Sequence, residues 1–227
     1  MDITALIKVY NEAQFISATL TSLKTHVKKI VIVDGAYQLY YETYREFDKN
    51  VKPWSTDGTL EIIQNLKGLP ELHLIRCRTP WLNQVVKLNK MLEQVEPDEW
   101  FFIIDGDEMV LGSFEKAAAE IMESGAIIGR IPLCNLGADI DRLHYFWHPR
   151  FFQMQEGMHY AGTHWHLRDY AGRVMESVYP VWWSQQCVIA HFKMLKVKER
   201  VVPHLHYMHK TKARGWLEPL REELEKN

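Results

Sequence analysis

The stretch EWFFIIDGDEMVLG, residues 99–112, places five apolar residues ahead of Asp105, Gly106, Asp107 and Glu108. A short continuous apolar run of this kind reads as a strand buried on both faces, and such strands belong to parallel sheets. A strand that delivers D-x-D at its carboxyl end sets two carboxylates two residues apart, beside the tight turn that Gly106 permits. Oxygen ligands so arranged suit a hard divalent cation, Mg²⁺ or Mn²⁺, with substrate phosphates filling other positions. An acidic turn capping the next helix is the alternative reading.

Outward from this stretch, strand and helix alternate. ITALIKVYNE reads as a strand ending at polar residues, and AQFISATLTSLKTH carries Phe15, Ile16, Leu20 and Leu23 at helical spacing. KKIVIVDG is a β-branched run stopped by Asp34 and Gly35, and STDGTLEIIQNLKG is a helix that Gly68 ends. LHLIRC, the helix LNQVVKLNKMLEQV and WFFIID continue the series. They predict an α/β fold with a mostly parallel central sheet flanked by helices. Ligands of such sheets bind beyond the carboxyl ends of the strands, where Asn11, Asp34 and Asp105 fall. After about residue 125 only AIIGRIPL and RFFQM look like strands, in an irregular half rich in aromatics. Nine of the eleven histidines follow residue 140, which concentrates candidate ligands and bases there.

Composition narrows the function. With 27 basic and 29 acidic residues the formal charge is -2, which argues against a nucleic-acid partner. Cys77, Cys134 and Cys187 form no C-x-x-C pair and fit a reducing, cytoplasmic setting. Neither a signal peptide nor a spanning helix is expected. No repeat, low-complexity tract or linker divides the chain, so residues 1–227 are expected to form one domain.

VYNEAQFISATLTSL, IVIVDG, STDGTLEII, VVKLNKML and WFFIIDGDE follow in the order and approximate spacing of glycosyltransferase family 2, which the chain resembles over residues 3–112. WHPRFFQMQEGMHYAGTHWHL and VIAHFKML are more loosely similar to the acceptor half of small members whose D-x-D is extended to D-x-D-E, here by Glu108. The resemblance implies the GT-A fold: a nucleotide-sugar half over residues 1–112 and an acceptor half with C-terminal helices over residues 113–227. It implies an inverting transferase that uses Mn²⁺ or Mg²⁺ and moves a sugar from a nucleotide-diphosphate donor, a UDP-sugar as first guess. The acceptor is a hydroxyl on a glycan, a lipid-linked group or a protein.

Residue by residue, Val9, Tyr10, Asn11 and Glu12 resemble the main chain that holds the nucleoside, and Asp34 the group that accepts from the base. Lys87 and Asn89 stand where the family often has an Arg-Asn pair near the sugar or diphosphate. Asp105 resembles the residue near ribose and metal, Asp107 the principal metal ligand, and His191 the later histidine that completes the metal. The chemistry is consistent with these roles, because a metal stabilises charge on the leaving phosphate without proton transfer. Inversion also needs a base on the opposite face of the sugar. His164 and His166 in GTHWHLRD are the candidates, on one face if that segment is a strand, with Asp169 and Glu156 next.

Three features depart from the family or leave readings open. Residues 35–54 separate Asp34 from STDGT, and within them Tyr37, Tyr40, Tyr41 and Tyr44 lie on one helix face. That stripe either packs the insert or forms an aromatic wall for a sugar, and Asp57 is expected to cap its own helix. The tail over residues 191–215 holds seven Lys or Arg against one Glu, which suits a solvated face, a clamp on the diphosphate, or weak contact with anionic lipid at the inner face of the membrane. The rival classes are a D-x-D phosphatase, against which Met109 stands where Thr or Val is expected, and a non-catalytic nucleotide- or sugar-binding module.

Overall fold

The structure is a computed structural model that describes residues 2–136, 145–162, 166–192, 195–196, 203 and 207. Strands β1 (Ile3–Val9), β2 (Lys29–Asp34), β3 (Glu71–Arg76) and β4 (Trp100–Asp105) alternate with helices α1 (Ile16–Thr21), α2 (Gln38–Arg45), α3 (Thr59–Asn65) and α4 (Gln84–Leu92). After β4 come β5 (Glu108–Gly112), α5 (Phe114–Glu123), β6 (Ile128–Asn135) and β7 (Tyr145–Gln153). The last elements are β8 (His159–Tyr160), β9 (Leu167–Arg168), α6 (Met175–Val178), β10 (Val181–Trp183) and β11 (Cys187–His191). Apart from Pro203 and Tyr207, the expected C-terminal helices and most of the basic tail lie outside the described residues, as does His164.

The main sheet runs β3-β2-β1-β4-β7-β6-β11-β5, with β10 also pairing β6. Its first four strands are parallel, as the strand and helix alternation predicts, and β10 and β11 run parallel to β6. The alternate faces of these strands feed two apolar layers, as period-two side chains require. Ile3, Ile7, Ile30, Ile32, Phe102 and Ile104 pack against residues of α1, α3 and α5. Leu6, Val31, Val33, Phe101 and Ile103 pack on the other side against Leu88, Met91 and Leu92 of α4.

Strand β7, antiparallel to both β4 and β6, joins the early sheet to the late one. Strand β5 follows β4 after only Gly106 and Asp107, yet it pairs antiparallel with β11 at the far end of the sheet order. The path from β4 through β7, β6 and β11 to β5 therefore returns to β4 through the D-x-D turn. That turn does not cap a helix, because β5 stands between it and α5. Gly106 is needed here for close approach, not for a left-handed backbone: a Cβ would stand 2.8 Å from Val9 Cγ1 and 3.0 Å from Glu12 Cγ.

The insert forms α2. Tyr40 and Tyr44 are buried, the Tyr40 hydroxyl donates to Tyr44 Oη at 2.9 Å, and both rings meet the Tyr10 ring edge-on. For these two residues packing is the function of the stripe. Tyr37 is half-buried and lies with Tyr40 against Tyr207.

Glu108 explains the third carboxylate of the turn. Its Oε2 accepts from the Asp105 N–H at 2.9 Å, and its Oε1 accepts from Arg150 Nη2 of β7 at 2.7 Å. Arg150 also donates to the Ile103 carbonyl at 3.2 Å. Glu108 is buried and the Arg150 side chain nearly so, so each depends on the other for charge balance. Removing one member of such a pair costs about 3–5 kcal/mol, more than replacing both by apolar residues. Arg150→Ala is therefore expected to lower unfolding stability in urea by that amount, and the double change Arg150→Met, Glu108→Leu by less than either single one.

Candidate active site

The carboxyl ends of β1, β2 and β4 and the end of β11 meet at one edge of the sheet. Val9 ends β1 with its carbonyl accepting from Lys87 Nζ at 2.8 Å and from Gly35 N at 3.0 Å. Tyr10 is buried and donates through its hydroxyl to the Lys52 carbonyl at 2.8 Å. Asn11 takes a positive φ of 54°, which an Asn tolerates. Its N–H donates to Ser55 Oγ at 2.7 Å, and its Oδ1 accepts from Thr56 N at 2.9 Å. Glu12 is buried and donates through its N–H to Thr59 Oγ1 at 2.7 Å. These bonds join the end of β1 to STDGT despite the long insert. Asp57 is not the cap of α3, which is Gly58, but stands just before it, accepting from Thr59 N at 3.1 Å and from Ala13 N at 3.0 Å.

Asp34 is fully buried. Its carboxylate accepts from Ser55 Oγ at 2.5 Å and from Ser55 N at 3.1 Å, and Arg76 Nε stands 3.6 Å away. Lys87 and Asn89 contact the main chain. Lys87 Nζ is buried between the Val9 carbonyl and the Gly35 carbonyl, the latter at 2.6 Å. Asn89 pairs with both the N–H and the carbonyl of Tyr160 and so positions β8.

Charge is concentrated at the D-x-D turn. Asp105 Oδ1 has Lys8 Nζ at 3.2 Å but makes no hydrogen bond, and Arg150 Nε is a second buried polar atom without one. Burial raises the Asp105 carboxyl, but Lys8 and Arg150 outweigh it and hold it below the usual range. Asp107 is buried with Lys196 Nζ at 2.7 Å and His191 Nε2 at 3.4 Å, both from Oδ2. Burial pushes its carboxyl up, and the Lys196 ammonium with the His191 imidazole pulls it well below the carboxylate range. Burial pushes His191 down, yet the hydrogen bond and charge of Asp107 raise it overall. Register explains the meeting, since His191 lies opposite Glu108 on β5 and beside Asn135 on β6. Asn135 Oδ1 pairs with His191 Nδ1 at 2.9 Å, which aims Nε2 at Asp107.

These residues fit a divalent cation. Two carboxylates held ionised, one with an unbonded buried oxygen, and a histidine oriented through its other nitrogen are the expected donor set. Among the described residues no three His, Cys, Asp or Glu side chains form a metal group by themselves. A Mg²⁺ or Mn²⁺ ion carried by one or two carboxylates and substrate phosphates does not need three.

The other predicted residues are spread out. His166 is exposed just before β9, and Glu156 is exposed. Asp169 is committed to a loop, accepting from Ala171 N, Arg173 N and Arg173 Nε. Sequence reasoning missed Lys8, Arg150, Lys196, Ser55 and Asn135. A signal existed for the first two, each a lone cation within an apolar strand. It also passed over His148 of β7, whose imidazole is pushed down to about 4 by burial and by the Arg150 and Arg130 guanidiniums.

A D-x-D turn and buried cations at the carboxyl edge of a mostly parallel sheet point to an α/β enzyme of the glycosyltransferase class. The chain belongs to glycosyl transferase family 2, whose model matches residues 54–178. Its mixed α/β fold with a mostly parallel sheet agrees with the one expected from its motifs. No curated protein sequence matches the chain. Among solved structures it is similar to S. aureus TarS, at 22% identity and a TM-score of 0.47, over 61% of this chain and 22% of that one. The 1–349 part of TarS in complex with UDP-GlcNAc matches with the same identity and score, 61% of this chain and 36% of that one being covered. The bifunctional IspDF of Campylobacter jejuni is similar at 11% identity and a TM-score of 0.44, over 82% of this chain and 50% of that one. The chain spans at most half the length of any of these three. No helix among the described residues is long and apolar enough to cross a membrane.

Lys87 gives this edge a pH signature. Burial, only partly countered by Asp34, lowers its ammonium from 10.5 to about 7. Between those values the unfolded chain binds one proton more than the folded one, so stability rises with pH, by up to about 1.4 kcal/mol per pH unit. Below about 7 both states are protonated and this slope vanishes. Urea unfolding at pH 7.5, 8.5 and 9.5 is expected to show the rise, and Lys87→Met to flatten it.

Proposed function

We propose that this chain, its two halves acting as one domain, transfers a sugar with inversion from a nucleoside diphosphate donor to an acceptor hydroxyl. The donor is a UDP-sugar in the first instance, and the hydroxyl belongs to a glycan, a lipid-linked group or a protein. The observation that carries this reading is the meeting of Asp107 and His191 beside Asp105, at the edge where β1 and β2 also end. Asp105, Asp107 and His191 would hold Mn²⁺ or Mg²⁺, which when bound supplies positive charge to the leaving diphosphate.

The protein's own groups prepare that place. Lys8 and Arg150 keep Asp105 ionised, and Asn135 orients His191. The Val9 to Asn11 main chain, tied to Ser55 and through it to Asp34, receives the nucleoside. Lys87 fixes the Val9 and Gly35 carbonyls there, so its part is to position, not to touch the donor. For the base, His164 and His166 stand with one addition, His148 of β7, near enough to Asp105 and His191 to feel their charges, although a value of about 4 makes it a weak base. The basic tail suits weak contact with anionic lipid at a cytoplasmic membrane face, where a lipid-linked acceptor would lie.

UDP is expected to raise the melting temperature in Mn²⁺ and not in EDTA, since a ligand of the native state at a hundredfold excess over its Kd adds about 2.7 kcal/mol. An equal shift in EDTA overturns the metal-bridged site. Among His148→Ala and His166→Ala, loss of the base is expected to cut transfer by about 10²- to 10⁴-fold while UDP binding stays at the parent level.

A further inference from the structure

Lys196 lies beyond β11, in a tail whose composition suggests a solvated face, yet its side chain is nearly buried between two carboxylates. Its Nζ is 2.7 Å from Asp107 Oδ2 and 3.0 Å from Glu12 Oε1. The strap that brings it there is fastened at several points. Phe192 N donates to the Asp107 carbonyl at 2.9 Å, and the Phe192 ring stacks on Phe15 at 5.0 Å with 6° between the planes. Gln14 Nε2 donates to the Leu195 carbonyl at 3.0 Å. Phe192 and Leu195 are thus tied to the D-x-D turn and to the β1–α1 connection, and Lys196 presents its ammonium to the oxygen that His191 also faces.

A divalent cation on Asp107 would sit about 2.0–2.1 Å from a carboxylate oxygen if it were Mg²⁺. An ammonium on Oδ2 and a dication on the same carboxylate repel one another in a partly buried site, so each weakens the other's hold. We propose that Lys196 is the resident cation of this site: ammonium and metal hold Asp107 in alternation, and the released Lys196 turns to the diphosphate of the donor. The inference rests on the metal site proposed above.

The alternation has a thermodynamic consequence. Metal alone must displace Lys196 from a favourable pair, whereas metal together with a nucleoside diphosphate offers that ammonium new acceptor oxygens. Metal and nucleotide therefore bind with positive coupling, and Lys196 carries that coupling. Glu12, between β1 and α1, is the second anchor that holds the ammonium at the site.

The test uses Mn²⁺ and UDP as probes on the full chain. Mn²⁺ binding, read from the electron paramagnetic resonance of the free ion, is measured with and without UDP for the parent and for Lys196→Met. The variant is expected to bind Mn²⁺ alone at least about tenfold more tightly than the parent, and UDP to add less to that affinity, as loss of a competing charge requires. Unchanged or weaker Mn²⁺ binding by a folded Lys196→Met protein overturns the proposal. In the parent, acylation of Lys196 followed by mass spectrometry is expected to quicken in saturating Mn²⁺ without UDP, and an unchanged rate overturns the proposal without any variant. A parent protein that binds both probes while either result is negative leaves the transferase reading standing. A parent that binds neither overturns both.

Discussion

Charge balance at one junction governs this structure. Around a single turn Glu12, Asp107 and Glu108 are buried and Asp105 half-buried, and a carboxylate without a partner in such surroundings is costly. Each is met by a cation from another element: Lys196 for Glu12, Lys8 for Asp105, Arg150 for Glu108, and both Lys196 and His191 for Asp107. Those cations come from β1, β7, β11 and the strap beyond it. Fixing the charges therefore also fixes which strands meet, and the apolar layers on either side of the sheet supply the burial that makes the pairing necessary.

The three carboxylates of D-x-D-E have different work because their surroundings differ. Burial pushes the Glu108 carboxyl up despite Arg150, and both of its oxygens are bonded within the fold. It acts as a staple between the turn and β7. Asp105 and Asp107 instead stay below the usual carboxylate range, and Asp105 keeps an oxygen without a hydrogen bond. One staple and two ionised donors follow from the same four positions, so the turn is rigid where it holds the fold and charged where a donor is to bind.

The sequence made the first four strands and their order legible, because continuous apolar runs stopped by polar residues have few other readings. It was less informative wherever partners lie far apart in the chain. Lys87 and Asn89 read as donor contacts by position in the family pattern, yet a lysine and an asparagine can satisfy buried carbonyls equally well, and here both bond the main chain. Lys8 is one charge in the apolar run ITALIKV, and only the β1–β4 register, which sets it opposite Asp105, gives it meaning. Lys196 had no distinguishing signal among its basic neighbours. The Tyr stripe allowed packing or sugar stacking, and the position of Tyr10 decided for Tyr40 and Tyr44.

The site is divided between a local motif and a distant strand, and this division ties its existence to completion of the fold. Asp105 and Asp107 arrive together from the end of β4 and the turn after it, but His191 comes from β11, which β7 and β6 separate from β4 in the sheet. A slip of one residue in the β5–β11 register would turn His191 to the opposite face and leave Asn135 unable to orient it. The closing strand thus does two jobs with one set of hydrogen bonds. It joins β5 to β6, and it brings an imidazole to the buried carboxylate of Asp107.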